Sequence, residues 1–195
     1  MIIGLTGGIG SGKTTVAKMF ANFKNVAVYI ADVEAKKLMN SSEKIKKSIV
    51  KEFGKEAYKD NQLNRPFIAD IVFKNKEKIA ILNAIVHPEV KKHFQEFVNL
   101  HKKASYILYE NAILFEIKNN LFCDVIISVF VPLKVRIQRV VLRDNSSEIE
   151  VKNRIENQWL EDKKLLQSNY VIYNNSLEET QIQVNSIHNI LTKKQ

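Results

Sequence analysis

Residues 4–15 read Gly4-Leu5-Thr6-Gly7-Gly8-Ile9-Gly10-Ser11-Gly12-Lys13-Thr14-Thr15, and this stretch decides the fold. It holds five of the chain's six glycines; the sixth is Gly54. Glycine loses more conformational freedom on folding than any other residue. A chain that uses so little of it, nearly all in one place, needs an unusual backbone there. The six residues MIIGLT (1–6) read as a short buried strand that runs into the glycines, and Lys13–Phe23 reads as a helix leaving them.

Gly7-x-x-x-x-Gly12-Lys13-Thr14 is a complete P-loop signature in the strand–loop–helix context the motif requires. Glycines let successive backbone N–H groups turn inward around phosphate oxygens, and the helix that follows points its positive end at the anion. Gly8, Ile9, Gly10, Ser11, Gly12, Lys13, Thr14 and Thr15 are therefore the expected nucleotide-binding residues. Lys13 reaches the β- and γ-phosphates, and the Thr14 hydroxyl is the expected Mg²⁺ ligand. The expected ligand is a nucleoside triphosphate, ATP. A GTPase would carry Asp-x-x-Gly and Asn-Lys-x-Asp; no aspartate here has glycine three residues later, and Asn75-Lys76-Glu77-Lys78 lacks the base-reading aspartate. Small phosphoryl-transfer kinases and nucleotide-dependent switches remain.

Outward from the loop, Val26–Ile30, Tyr106–Tyr109, Val125–Val131 and Val171–Tyr173 read as further strands, with helical patterns between them. Strands alternating with helices imply a parallel sheet covered on both faces. Residues 40–104 carry several helical segments and no convincing strand, as an inserted helical subdomain would. Pro88 suits a first helical turn, after which Val90, Phe94, Phe97, Val98 and His101 share one face. Leu133–Leu142 and Ile182–Leu191 also read as helices.

A length of 195 residues suits one domain with small insertions. No apolar run approaches the ~18 residues of a membrane span, and the first apolar run is too short for a signal peptide. The single cysteine, Cys123, suits a reducing, cytoplasmic setting. The net charge is +9, but 25 of the 30 basic residues are lysines spread along the chain. That distribution reads as a solvated surface rather than a specific nucleic-acid site. Four of the five arginines, Arg136, Arg139, Arg143 and Arg154, fall in one short stretch. Arginine grips phosphate with a planar fork that lysine lacks. Asp32 follows the second strand, where open α/β sheets place their ligands. Its carboxylate suits either an acceptor hydroxyl or the N-cap of the next helix.

The motifs, in order, resemble those of dephospho-CoA kinases over nearly the whole chain. Besides GLTGGIGSGKTT, Ala31-Asp32 matches the end of the family's D-A-D element, and Asp32–Ala35 matches its D-x-x-A. Asn64-Arg65 partly fits its D-R element, and LNAIVHPEV (82–90) fits L-x-x-I-x-H-P-x-V. YENAILFE (109–116) resembles the P-L-L-F-E segment. LFCDVIISVFVP with IQRVVLRD fits the strand and Q-x-x-R-x-x-x-R-D run, RIENQ (154–158) fits R-I-x-x-Q, and NYVIYNN resembles the closing element. Departures are Thr14 for serine, Ile30 for the first aspartate of D-A-D, Lys36 for histidine, Ala112 for proline, Asn169 for aspartate and Asn175 for glycine.

The resemblance implies an α/β P-loop NTPase fold, with a five-stranded parallel sheet flanked by helices, a helical substrate-binding insertion and a lid. The core would span about 1–35, 104–136 and 168–195, the CoA-binding subdomain about 36–103 and the lid about 137–167. It implies ATP- and Mg²⁺-dependent phosphorylation of the ribose 3′-hydroxyl of dephospho-CoA, by a cytoplasmic monomer or weak homo-oligomer with no specific nucleic-acid or membrane partner. Lys13, Asp32 and Arg139 become the catalytic candidates, with Asp32 as base. Arg139 and Arg143, spaced i, i+4, become a phosphate clamp, and Arg136 ranks below them. Arg65 and His87 become acceptor-site candidates. Glu110, at a strand end, is a candidate to hold a magnesium-bound water, and Asn174 to lie near the adenine.

Overall fold

The computed structural model describes residues 1–193, and for 73, 74 and 76 their backbone alone. In chain order the elements are β1 (Ile2–Thr6), α1 (Lys13–Ala21), β2 (Val26–Ile30), α2 (Ala31–Ser41), α3 (Glu43–Phe53), β3 (Tyr58–Lys59), β4 (Gln62–Leu63), α4 (Arg65–Lys74), α5 (Lys76–Leu100), β5 (Tyr106–Glu110), β6 (Val125–Phe130), α6 (Leu133–Asp144), α7 (Glu148–Glu156), α8 (Glu161–Leu166), β7 (Tyr170–Tyr173) and α9 (Leu177–Lys193). They divide into two units, one of residues Met1–Ile30 with His101–Gln195, the other Ala31–Leu100.

The first unit is built on a five-stranded, all-parallel sheet ordered β2-β5-β1-β6-β7. β1 is central, and Ile3 to Thr6 are buried on both faces, as helical crossovers on each side of a parallel sheet require. Gly4 has a packing reason: a Cβ there would lie 2.8 Å from Leu114 Cδ2 and 2.9 Å from Cys123 Sγ. One apolar cluster joins Ile3, Leu5, Val16, Phe20, Leu108, Ile127, Ile172, Val184 and Leu191. Burying side chains of this size contributes roughly 1.5–3 kcal/mol each. The glycine loop therefore springs from the central strand of the sheet, buried from Ile3 to Thr6.

The Ala31–Leu100 unit is helical, but it also carries the two-residue strands β3 and β4, paired antiparallel with Tyr58 opposite Leu63. The expectation of no strand missed them because the signal is only Asp60-Asn61. Both residues have positive φ, 49° and 62°, which a tight hairpin turn demands and which Asp and Asn tolerate. The Pro88 reading also changes. One helix, α5, runs through it, so Pro88 lies inside a helix rather than in its first turn. Val90 and Phe94 are nonetheless buried, as their shared face predicts. Asp32 lies within the first turn of α2, which starts at Ala31, so it is not that helix's N-cap.

Candidate active site

Glycine at 12 is dictated by the backbone: φ is 91° and ψ 21°, a left-handed conformation that launches α1. Thr15 and Val16 then donate their N–H groups to Gly12 O at 3.0 and 3.1 Å, closing the first helical turn. Ser11 N donates to Gly8 O at 3.1 Å, and the Lys13 ammonium reaches back to the same carbonyl at 3.3 Å. Lys13 is 8% exposed, whereas Thr14 and Thr15 face solvent. A buried ammonium beneath the loop and a solvent-facing hydroxyl beyond it are the two groups a bound triphosphate and its cation call for.

Asn174, which follows β7, holds the loop from one side. It is buried, its Nδ2 donates to Ser11 O at 2.8 Å, and its Oδ1 accepts from Thr180 Oγ1 at 2.9 Å. A Cβ on Gly12 would fall 2.1 Å from Asn174 Nδ2. Arg139, on α6, donates to Asn174 O at 3.2 Å, and its guanidinium passes near Gly12. Arg139 and Asn174 are thus brought to the loop. Arg143 is not: its fork closes on Asp144 at 2.7 and 3.1 Å, and Arg154 joins the same carboxylate at 2.9 Å. The hydrogen bond to Asp144 raises the Arg143 pKa.

Arg136, ranked below Arg139 on sequence, lies directly on the loop. Its Nη1 occupies the space a Gly8 side chain would need, and pairs with Glu161 Oε2 at 2.7 Å. Glu161 Oε1 accepts from Gly8 N at 3.3 Å, and Gln158 Oε1 accepts from Ile9 N at 2.9 Å. Gln158 closes the Arg154–Gln158 motif and could have been singled out there. Glu161 carries no comparable signal.

Glu110 ends β5, is buried, and stands opposite Leu5 in the β1 register and Ile30 in the β2 register. Asp32, Arg65 and His87 belong to the other unit. Asp32 is exposed, two residues beyond the end of β2. Arg65 is exposed at the first position of α4, whose Asn64 cap accepts from Phe67 N at 3.4 Å. His87 is half-buried on α5, and that burial lowers its pKa, so its ring is neutral near pH 7.

Two positions that depart from the family's motifs make defined contacts. Ala112 offers its carbonyl to Lys164 Nζ at 2.8 Å, a contact that needs no particular side chain. Asn169 pins the start of β6, its Oδ1 accepting from Ile126 N at 2.8 Å.

The family model for dephospho-CoA kinase matches residues 1–179. A dephospho-CoA kinase of Bacteroides fragilis is 35% identical over 172 residues, 88% of this chain and 83% of its own. Two solved structures are similar. That of TT1252 from Thermus thermophilus has a TM-score of 0.83 at 30% identity, over 100% of this chain and 98% of its own. A dephospho-CoA kinase from Campylobacter jejuni has a TM-score of 0.65 at 25% identity, over 98% and 97%. The chain belongs to the dephospho-CoA kinase family, the ATP-dependent kinases that phosphorylate the 3′-hydroxyl of dephospho-CoA in the final step of coenzyme A synthesis.

Proposed function

We propose that the Gly7–Thr15 loop holds the ATP triphosphate while Asp32 activates the acceptor hydroxyl. The carrying observation is the loop's construction: a left-handed Gly12, a buried Lys13 and an Asn174 amide that fixes the Ser11 carbonyl. Lys13 and Arg139 supply positive charge to the transferring phosphoryl group, and charge stabilisation of this kind carries most of the barrier reduction in phosphoryl transfer. The Asp32 carboxylate takes the proton from the ribose 3′-hydroxyl. That oxygen forms a bond to the γ-phosphorus as the bond to the bridging oxygen breaks, leaving ADP.

The Thr14 hydroxyl would hold Mg²⁺ directly, and the Glu110 carboxylate would position a water of its shell. Such a donor set suits a cation that keeps waters and phosphate oxygens as its other ligands. Among the described residues no group of three or more His, Cys, Asp or Glu forms a cage for a metal ion. When bound, Mg²⁺ neutralises charge on the β- and γ-phosphates. Asn174 acts through the loop, since both ends of its side-chain amide engage protein groups, and its neighbourhood accommodates the adenine. Arg143 joins Arg139 only if it leaves Asp144.

The Ala31–Leu100 unit is the acceptor-binding part, where Arg65 offers charge to the acceptor's diphosphate and neutral His87 a hydrogen bond. The lid lies within about 137–167. We take the enzyme as cytoplasmic, monomeric or weakly associated, with no specific nucleic-acid partner. Among the described residues no helix is long and apolar enough to cross a membrane. Asp32→Asn tests the base. kcat is expected to fall about 10²- to 10⁴-fold with ATP affinity unchanged, and an undiminished kcat would remove Asp32 from the chemistry.

A further inference from the structure

A phosphate loop presents N–H groups inward, yet its ring of peptides also has an outer side that must be satisfied. Here two of the loop's N–H groups are taken by side chains from far along the chain. Ile9 N donates to Gln158 Oε1 at 2.9 Å, and Gly8 N donates to Glu161 Oε1 at 3.3 Å. The second oxygen of Glu161 is held by Arg136 Nη1 at 2.7 Å, with the two side chains 12% and 7% exposed. Arg136 also fixes what residue 8 can be, since a Cβ there would sit 1.5 Å from Nη1. The Arg136 carbonyl does the same at residue 10, 2.5 Å from where a Cβ would be.

The acceptors are themselves held in place. Between them, Trp159 donates its N–H to Glu116 Oε1 at 2.7 Å and stacks on Phe115, centroids 5.7 Å apart and planes at 7°. Lys164, fully buried, donates to Ala112 O at 2.8 Å and pairs with Glu116 at 2.9 Å. Residues 158–164 are therefore fastened at both edges. Buried ion pairs such as Arg136–Glu161 contribute little net stability, because desolvation offsets their attraction, but they tolerate few geometries.

We propose that Arg136, Gln158 and Glu161 form a positioning bracket that presets the phosphate loop for the ATP triphosphate. It rests on the reading that the loop holds ATP. The bracket touches no phosphate; it orients the Gly8 and Ile9 peptides, and through them the inward-facing part of the loop.

Steady-state kinetics with ATP and dephospho-CoA varied separately, together with calorimetry of a non-hydrolysable ATP analogue, test the bracket. Gln158→Ala is expected to raise the KM for ATP and weaken analogue binding about three- to tenfold, the range one hydrogen bond supports. The KM for dephospho-CoA should stay as in the parent, and Gln158→Glu, which keeps an acceptor oxygen, should restore ATP affinity. Glu161→Gln should shift the KM for ATP in the same direction. A folded Gln158→Ala protein with unchanged ATP affinity would overturn the bracket, as would equal shifts in both KM values. Lys13→Ala in the same titration separates the two readings. Loss of analogue binding there beside normal binding by Gln158→Ala would sink the bracket and leave the loop assignment standing, whereas normal binding by Lys13→Ala would remove the loop assignment itself.

Discussion

Two glycines of the same loop are glycine for different reasons. Gly12 is so because its backbone is left-handed, and the motif alone announces that requirement. Gly8 has no positive φ among the loop glycines; it is glycine because Arg136 lies across it. The sequence cannot disclose that second reason, since it depends on a side chain delivered by α6, far along the chain. Gly8→Ala is therefore expected to destabilise the fold by about 1–3 kcal/mol, the usual cost of overpacking a filled site. Arg136 is buried and ion-paired and cannot swing aside cheaply. Chemical denaturation checks this, and Gly8→Ala should cost distinctly less in an Arg136→Ala background. Equal cost in both backgrounds would mean the strain lies elsewhere.

Among the elements, the strands of the large sheet were legible because each is a short, mainly apolar run, and all five pair in parallel. The β3–β4 hairpin was not, because two-residue strands leave no periodicity to read. The course of α5 through Pro88 was hidden too: the helix-start preference of proline is a local rule that long-range packing of Val86, Val90 and Phe94 overrides. α9 shows what an element adds beyond its pattern. Its His188 Nδ1 lies 2.8 Å from Tyr106 OH at the start of β5, and its ring stacks on Phe23 at 3.7 Å. Burial lowers the His188 pKa from 6.5, so the folded chain favours the neutral ring. A lowered histidine pKa means the unfolded state binds the proton more readily, so this contribution is complete above about pH 6.5 and fades as pH falls below it. Thermal unfolding from pH 7.5 to 5 should show the parent losing more stability than His188→Gln. Parallel curves would assign the acid sensitivity to other groups.

For the whole molecule, the class of fold and the reaction were readable from the loop and the order of the motifs, because phosphate binding imposes its chemistry on consecutive residues. The assembly of the site was less readable. Arg139 and Asn174 converge on Gly12 only once α6 and β7 are folded, and Arg143, at the same helical spacing, turns to Asp144 instead. Spacing reports which residues share a helix face, not which partner each one finds. The lysine-rich composition, net +9, is compatible with an anionic small-molecule substrate. The most direct test of the account is mass spectrometry of the products from purified protein, Mg-ATP and dephospho-CoA, with AMP and adenosine as competing acceptors. The expected result is a gain of one phosphoryl group on dephospho-CoA alone, with matching ADP and a product that CoA-requiring enzymes accept. Phosphoryl transfer to AMP or adenosine instead, or ATP binding with no ADP formed from any acceptor, would contradict it.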